Sequence, residues 1–184
     1  LWRPDGWGIG HRRDVAELGR QISDRGGISL LLSPLHAPAP TTPQETSPYY
    51  PSSRRWLNPM LVPLDGASPV ANDAGGLIDR NSTWPARRRA LAERFTRAVD
   101  GPEWRTWAEQ QGADLQQFCS WNALAERLGP RWTQWPGDFR HPDSAALSQL
   151  PAQDAHFATA CDFHAWLQWL TTRTLERTAA AAGV

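Results

Sequence analysis

The stretch Gly26-Gly27-Ile28-Ser29-Leu30-Leu31-Leu32-Ser33-Pro34 decides how this chain is read. A short apolar run between a glycine pair and a proline fits a buried parallel strand, since strands covered on both faces are apolar at nearly every position. The flanking Gly and Pro favour that reading over a piece of buried helix. Before it, Asp14 to Gly26 spaces Val15, Leu18 and Ile22 as one helical face, with Asp14 as cap and Gly26-Gly27 as stop. After it, Pro34, Pro38, Pro40, Pro43, Pro48 and Pro51 leave no regular element up to Asn58. A long loop directly after a parallel strand is uncommon without a task. Met60 to Leu64 is expected as a short strand closing that loop, and Asp65 to Ser82 as a polar connection.

The last hundred residues read as helical. Asn81-Ser82-Thr83 offers a cap and Pro85 an early-turn proline. Leu91, Phe95, Ala98 and Val99 then recur at helical spacing. Leu115, Phe118, Trp121, Leu124, Ala125 and Leu128 form a second stripe, ended by Gly129-Pro130. Arg131 to Pro142 breaks into a loop, and Phe163, Trp166, Leu167 and Leu170 mark a third helix over Asp154 to Ala180. One strand–helix unit cannot close a parallel sheet. The pattern therefore implies part of a larger α/β fold that carries a helical insertion.

Composition narrows the chemistry. Lys plus Arg is 19 and Asp plus Glu is 19, so the balance argues against a nucleic-acid surface or an anionic membrane. No apolar run is long enough to span a bilayer. Cys119 and Cys161 read as two small buried hydrophobes rather than a disulfide or a metal pair, which places the chain in a reducing cytosol by default. No metal-binding spacing and no cofactor motif is present, so no metal and no organic cofactor is expected. Eleven Trp supply large flat faces that either fill a core or stack on ligand rings, and the core is the commoner fate.

Ser47-Pro48-Tyr49-Tyr50-Pro51-Ser52-Ser53-Arg54-Arg55-Trp56-Leu57-Asn58-Pro59 resembles the SPYSPSSRRWLNPLY signature of amylomaltases, the 4-α-glucanotransferases of glycoside hydrolase family 77. Ser33-Pro34-Leu35-His36-Ala37 resembles the NPLHA at the end of the family's second barrel strand. Trp7-Gly8-Ile9-Gly10 with Asp14-Val15 resembles WGIGDFGDL after the first strand. Phe163 to Leu170 resembles the FHxWLQWL helix, and Trp132 to Pro142 the loop before it. The matches run in family order. His11-Arg12-Arg13 departs from the family, standing where it has Asp-Phe-Gly, and Ser33 replaces Asn.

The resemblance implies an incomplete (β/α)8 TIM-barrel fragment, with residues 1–80 as the first barrel units and substrate loop and 81–184 as a mainly helical insertion subdomain. It implies a retaining enzyme, in which two carboxyl groups roughly 5–5.5 Å apart cleave the glycosidic bond and pass the sugar to another glucan. Those carboxylates are expected on later barrel strands, outside this chain, so no catalytic residue is assigned here and the chain itself is expected to be inert. Asp14, Glu45, Asp65, Asp73 and Asp79 carry no catalytic role over. Substrate contact is implied for Tyr49, whose ring and O–H suit a sugar, with Ser47 and His36; His36 reads equally as a satisfied structural group. Arg54 and Arg55 are expected to hold the loop, by its carbonyls or by a carboxylate such as Glu45. The implied partner is a malto-oligosaccharide or starch-derived glucan. The runner-up is a non-catalytic malto-oligosaccharide-binding module, and a helical scaffold comes third.

Overall fold

The computed structural model describes residues 7–66, 78–98 and 101–182. Five helices dominate them: α1 (Arg12–Ser23), α2 (Arg80–Ala98), α3 (Pro102–Leu128), α4 (Ala145–Gln153) and α5 (Ala155–Ala182). Two short strands, β1 (His36–Ala37) and β2 (Ser53–Leu57), pair antiparallel, with His36 opposite Leu57 and Ala37 opposite Ser53. α5 is the hub: it packs against α1, α2, α3, α4 and β2.

α1 begins close to where its spacing predicts. Asp14 is not its cap; it lies in the first turn and accepts from the His11 backbone N–H at 2.8 Å, with His11 in the capping position. The stop is as read: Gly27 N–H returns to the Ile22 carbonyl at 2.9 Å, with Gly26 in the left-handed region at φ +80. α2 is capped by Asp79, whose carboxylate accepts from the Asn81 and Ser82 N–H groups, so the cap lies two residues ahead of the expected Asn81. Val99 and the connection over 67–77 lie outside the described residues. α3 runs through both Trp104 and the predicted stripe, with one non-helical residue, Gly112, at φ 64. α4 is an element the sequence reading missed: Ser144 caps it through the Leu147 N–H, but only Leu147 of its apolar residues is buried.

Two expected strands do not form. Ile28 to Leu32 is irregular chain, with Ile28 96% and Leu31 97% exposed. A buried parallel strand needs sheet neighbours, and the described residues offer it none, so Ile28 and Leu31 lie bare while Leu30 stays half-buried. Met60 falls in a 3-10 turn, Pro59–Leu61, not in a strand: the Asn58 side chain accepts from the Met60 N–H at 2.9 Å and starts the turn. The described residues are thus mainly helical, with one antiparallel pair where a parallel sheet was expected.

The main core gathers Leu91 and Phe95 of α2, Trp104, Leu115 and Cys119 of α3, Phe163, Trp166, Leu167 and Leu170 of α5, and Val62 from the loop region. Phe95 meets Trp104, Phe163 and Trp166 at centroid distances of 6.1, 5.5 and 5.4 Å, two of these contacts edge-on as aromatic quadrupoles prefer. A second cluster joins Ala123, Leu124 and Ala125 of α3 to Trp135, Leu147 and Phe157. Trp7, Trp84, Trp104, Trp135 and Trp166 are buried, and among the described Trp residues only Trp132 is exposed, at 52%. Cys119 is buried and Cys161 half-buried; both are free thiols, and burial raises both pKa values. No helix among the described residues is long and apolar enough to cross a membrane.

Candidate functional site

The Pro-rich loop leaves the sheet at Ala37 and returns at Ser53, so the β1–β2 pair forms its base. Ser52 closes that base twice, its N–H and its hydroxyl both reaching the Ala37 carbonyl, at 2.9 and 3.0 Å. The loop is then fixed along its length by helix side chains. Trp84 donates its indole N–H to the Pro40 carbonyl at 2.8 Å. Asn81 accepts from the Gln44 N–H at 2.7 Å, and Arg80 donates to the Thr46 carbonyl at 2.6 Å. The buried Gln44 amide bonds the Ala39 and Thr41 carbonyls from within. A loop with this many prolines has few N–H donors of its own, so side chains must satisfy its carbonyls.

At the tip, Glu45 accepts from the Ser47 N–H at 3.0 Å, and Ser47 Oγ accepts from the Tyr49 N–H at 3.3 Å. Tyr49 and Tyr50 project into solvent, 65% and 74% exposed. His36 and Ser47 share the lining of a cavity of about 30 Å³ with Glu45, Tyr50 and Arg80, whereas Tyr49 stands outside it. Of the three residues expected to contact substrate, only His36 and Ser47 line one pocket. Glu45 accepts within the tip, from the Ser47 N–H and the Thr46 hydroxyl, whereas Arg55 pairs with Asp114 of α3 at 2.5 Å, both side chains being half or more exposed. An arginine of the pair does bond a carboxylate, as expected, but the carboxylate is Asp114 of α3, 59 residues away, and not Glu45.

The other carboxylates near the loop have structural duties. Asp14 accepts from the His11 N–H in the first turn of α1, Asp79 caps α2, and Asp65 pairs with Arg13 at 3.0 Å. Asp73 lies outside the described residues. No group of three His, Cys, Asp or Glu able to hold a metal exists among the described residues.

Two further contacts were not visible in the sequence. Gln168 of α5 is 2% exposed; it accepts from the Leu57 N–H at 3.0 Å and donates to the Leu57 carbonyl at 2.9 Å. The signal was an amide inside the apolar run Phe163 to Leu170. Arg87 of α2, fully buried, donates to the carbonyls of Trp7 and Val62 and so ties the Trp7-Gly8-Ile9-Gly10 turn to the end of the loop region. Gly8 explains that turn's composition: its φ is +72, and a Cβ there would lie 2.4 Å from Thr83 Oγ1.

The sequence profile of the 4-α-glucanotransferases, glycoside hydrolase family 77, matches residues 1–183. The chain belongs to this family. It is 35% identical over 192 residues to 4-α-glucanotransferases of Mycobacterium bovis and Mycobacterium tuberculosis, which covers 89% of this chain and 26% of theirs. Against the 4-α-glucanotransferase of Haemophilus influenzae the identity is 27% over 209 residues, 92% of this chain and 29% of that protein. The crystal structure of amylomaltase from Corynebacterium glutamicum superposes with a TM-score of 0.70 at 22% identity, covering 98% of this chain and 26% of the other. The chain therefore spans about a quarter of the length of the relatives it matches. The family is the one that the Ser47 to Pro59 stretch implied.

Proposed function

We propose that these residues form the glucan-holding part of a 4-α-glucanotransferase that moves α-1,4-glucan segments between malto-oligosaccharides by a retaining double displacement. The observation that carries the reading is the Ser47–Tyr50 tip: two exposed tyrosines on a loop whose every flank is tied down. A flat phenol ring suits a sugar face, and a pre-set loop spares the ordering cost of binding. In this reading Tyr49 stacks on or hydrogen-bonds the sugar beside the scissile bond, and Ser47 and His36 line the adjacent hollow.

The chemistry of transfer belongs to two carboxyl groups about 5–5.5 Å apart in the three quarters of the relatives' length that this chain does not span. Residues 1–80 are in this reading the first units of a (β/α)8 barrel and 81–184 a helical insertion, a division of origin rather than of packing, since the main core mixes Val62 with α2, α3 and α5. Support for the barrel comes from the bare run Ile28 to Leu32, which has the composition of a strand and lacks sheet neighbours among the described residues. The two free thiols support a reducing cytosol as its setting.

The test is to add maltoheptaose to the 184-residue chain while following fluorescence, and separately to assay glucose release from maltotriose. Saturable binding that Tyr49→Ala weakens at least about fivefold is the expected result, because loss of a stacking ring costs about 1–3 kcal/mol by analogy with aromatic platforms. Glucose release by this chain would overturn its inertness, and binding indifferent to Tyr49→Ala would overturn the role of the loop. Saturable binding indifferent to Tyr49→Ala would favour the runner-up, a module that binds glucan through another face.

A further inference from the structure

We infer that Gln168 is the positioning residue of the glucan loop: its side-chain amide acts as a one-residue third strand on the outer edge of β2. The inference rests on the proposed glucan role for the value of the positioning, but not for its geometry. β1 and β2 pair along one edge, where the Asn58 N–H reaches the Leu35 carbonyl at 2.8 Å. Successive backbone groups of a strand point to opposite edges, so the Leu57 N–H and carbonyl face away from β1. On an isolated two-stranded ribbon these groups would face solvent, and such a ribbon is marginal by itself. Gln168 meets both, at 3.0 and 2.9 Å, with complementary acceptor and donor.

Burial makes this pairing stringent. Gln168 is 2% exposed, so no water replaces either bond, and its neighbours Trp166, Leu167 and Leu170 anchor α5 in the main core. The rigid hub helix therefore sets the position of Leu57. Leu57 lies opposite His36 in the register, and Ala37, next along β1, receives both bonds from Ser52. The Arg55–Asp114 pair lies on the same strand, but it is exposed and so contributes little. On β2 it is Gln168, and not Arg55, that couples the strand to a helix, while Arg80, Asn81 and Trp84 of α2 hold the loop beyond it.

The experiment compares Gln168→Met, which keeps the volume and loses both bonds, with Leu170→Ala, which opens a cavity in the same helix without touching β2. Amide hydrogen exchange of the 184-residue chain is followed at Leu57 and Asn58, and maltoheptaose affinity is measured alongside, both under conditions where each variant is folded by circular dichroism. Gln168→Met is expected to speed Leu57 exchange about tenfold or more and to weaken maltoheptaose binding about threefold to tenfold, because two part-buried backbone groups lose their partners. Leu170→Ala is expected to lower Tm while leaving both readouts within about twofold. Gln168→Glu, which keeps the acceptor for the Leu57 N–H, is expected to recover part of the exchange protection. Equal loosening of the loop by Gln168→Met and Leu170→Ala, or unchanged Leu57 exchange in Gln168→Met, would overturn the inference. Should the wild-type chain fail to bind maltoheptaose, the exchange readout still decides the positioning, and it is the glucan reading that falls.

Discussion

Two guanidinium groups, the half-buried Arg88 and the buried Arg12, are satisfied very differently. Arg88 of α2 meets Glu126 of α3 through two bonds, 2.6 and 2.8 Å, lies 5.2 Å from the Phe163 ring, and shares the carboxylate with His164, whose Nε2 stands 3.5 Å from Glu126 Oε2. Arg12, at the start of α1, is 3% exposed, and none of its three guanidinium nitrogens has a hydrogen-bond acceptor. The same contrast holds for apolar groups. The helices from Arg80 onward cover Phe95, Trp104, Leu115 and Trp166 with one another, whereas Ile28 and Leu31 of the first third stay bare. A helical stripe needs only other helices nearby in the chain, and α2, α3 and α5 supply them. A parallel strand needs partners on two edges and covers on two faces.

The contrast is broken most sharply by acid. Burial by itself would raise the pKa of Glu126, but its contact with His164 and its fork with Arg88 outweigh that and hold it at about 2 against an ordinary 4.5. A depressed carboxylate stabilises the fold above its unfolded pKa and stops doing so as pH falls through its folded pKa. The helical half should therefore lose about 3 kcal/mol between about pH 4.5 and about pH 2, by the usual 1.36 kcal/mol per unit. Urea unfolding followed by Trp fluorescence across that range measures it, and in Glu126→Gln that part of the acid loss should vanish. A slope surviving intact in Glu126→Gln would show that the pairing is not what finishes this half.

A change of opposite sign is expected in the first third. Burial lowers the Arg12 pKa to about 10, a measure of how poorly the site accepts the charge. Arg12→Leu removes three unpartnered donors from a place where the family has Phe, and should stabilise the chain by about 1–3 kcal/mol. The rise would appear as a higher urea midpoint at unchanged slope. A lower midpoint would mean that Arg12 is better satisfied than its surroundings indicate.

What could be read from the sequence follows the same divide. The stripes at Leu115 to Leu128 and Phe163 to Leu170 are both helical, because periodicity reports a contact that the chain itself completes. Ile28 to Leu32 misled because composition reports what a segment could bury and not whether a partner is present. α4 was missed because Pro151 lies inside it and only Leu147 marks its buried face. Tyr49 and Ser47 were proposed through the loop's motif and His36 through the Ser33 to Ala37 match. Arg80, Asn81 and Asp114 were not, since their bonds to Thr46, Gln44 and Arg55 span 34, 37 and 59 residues and leave no local pattern. Gln168 spans 111 residues to Leu57 and was legible only as an oddity, an amide in an apolar helix.

The smallest effect is the most telling for the bare run. Leu31 is 97% exposed, so Leu31→Lys removes no buried area and should change the stability of this chain by no more than about 0.5 kcal/mol. It should also suppress self-association, because a long exposed apolar segment invites pairing with another copy and a lysine disrupts it. Sedimentation at rising concentration, wild type against Leu31→Lys, reads the second effect, and urea unfolding the first. If the run is a strand awaiting neighbours, the same substitution in a chain carrying the rest of the relatives' length should cost several times more, since a charge would then enter a sheet covered on both faces. A cost equally small in both chains would mean that Ile28 to Leu32 is surface in the longer protein too, and the barrel reading of residues 1–80 would lose its main physical support.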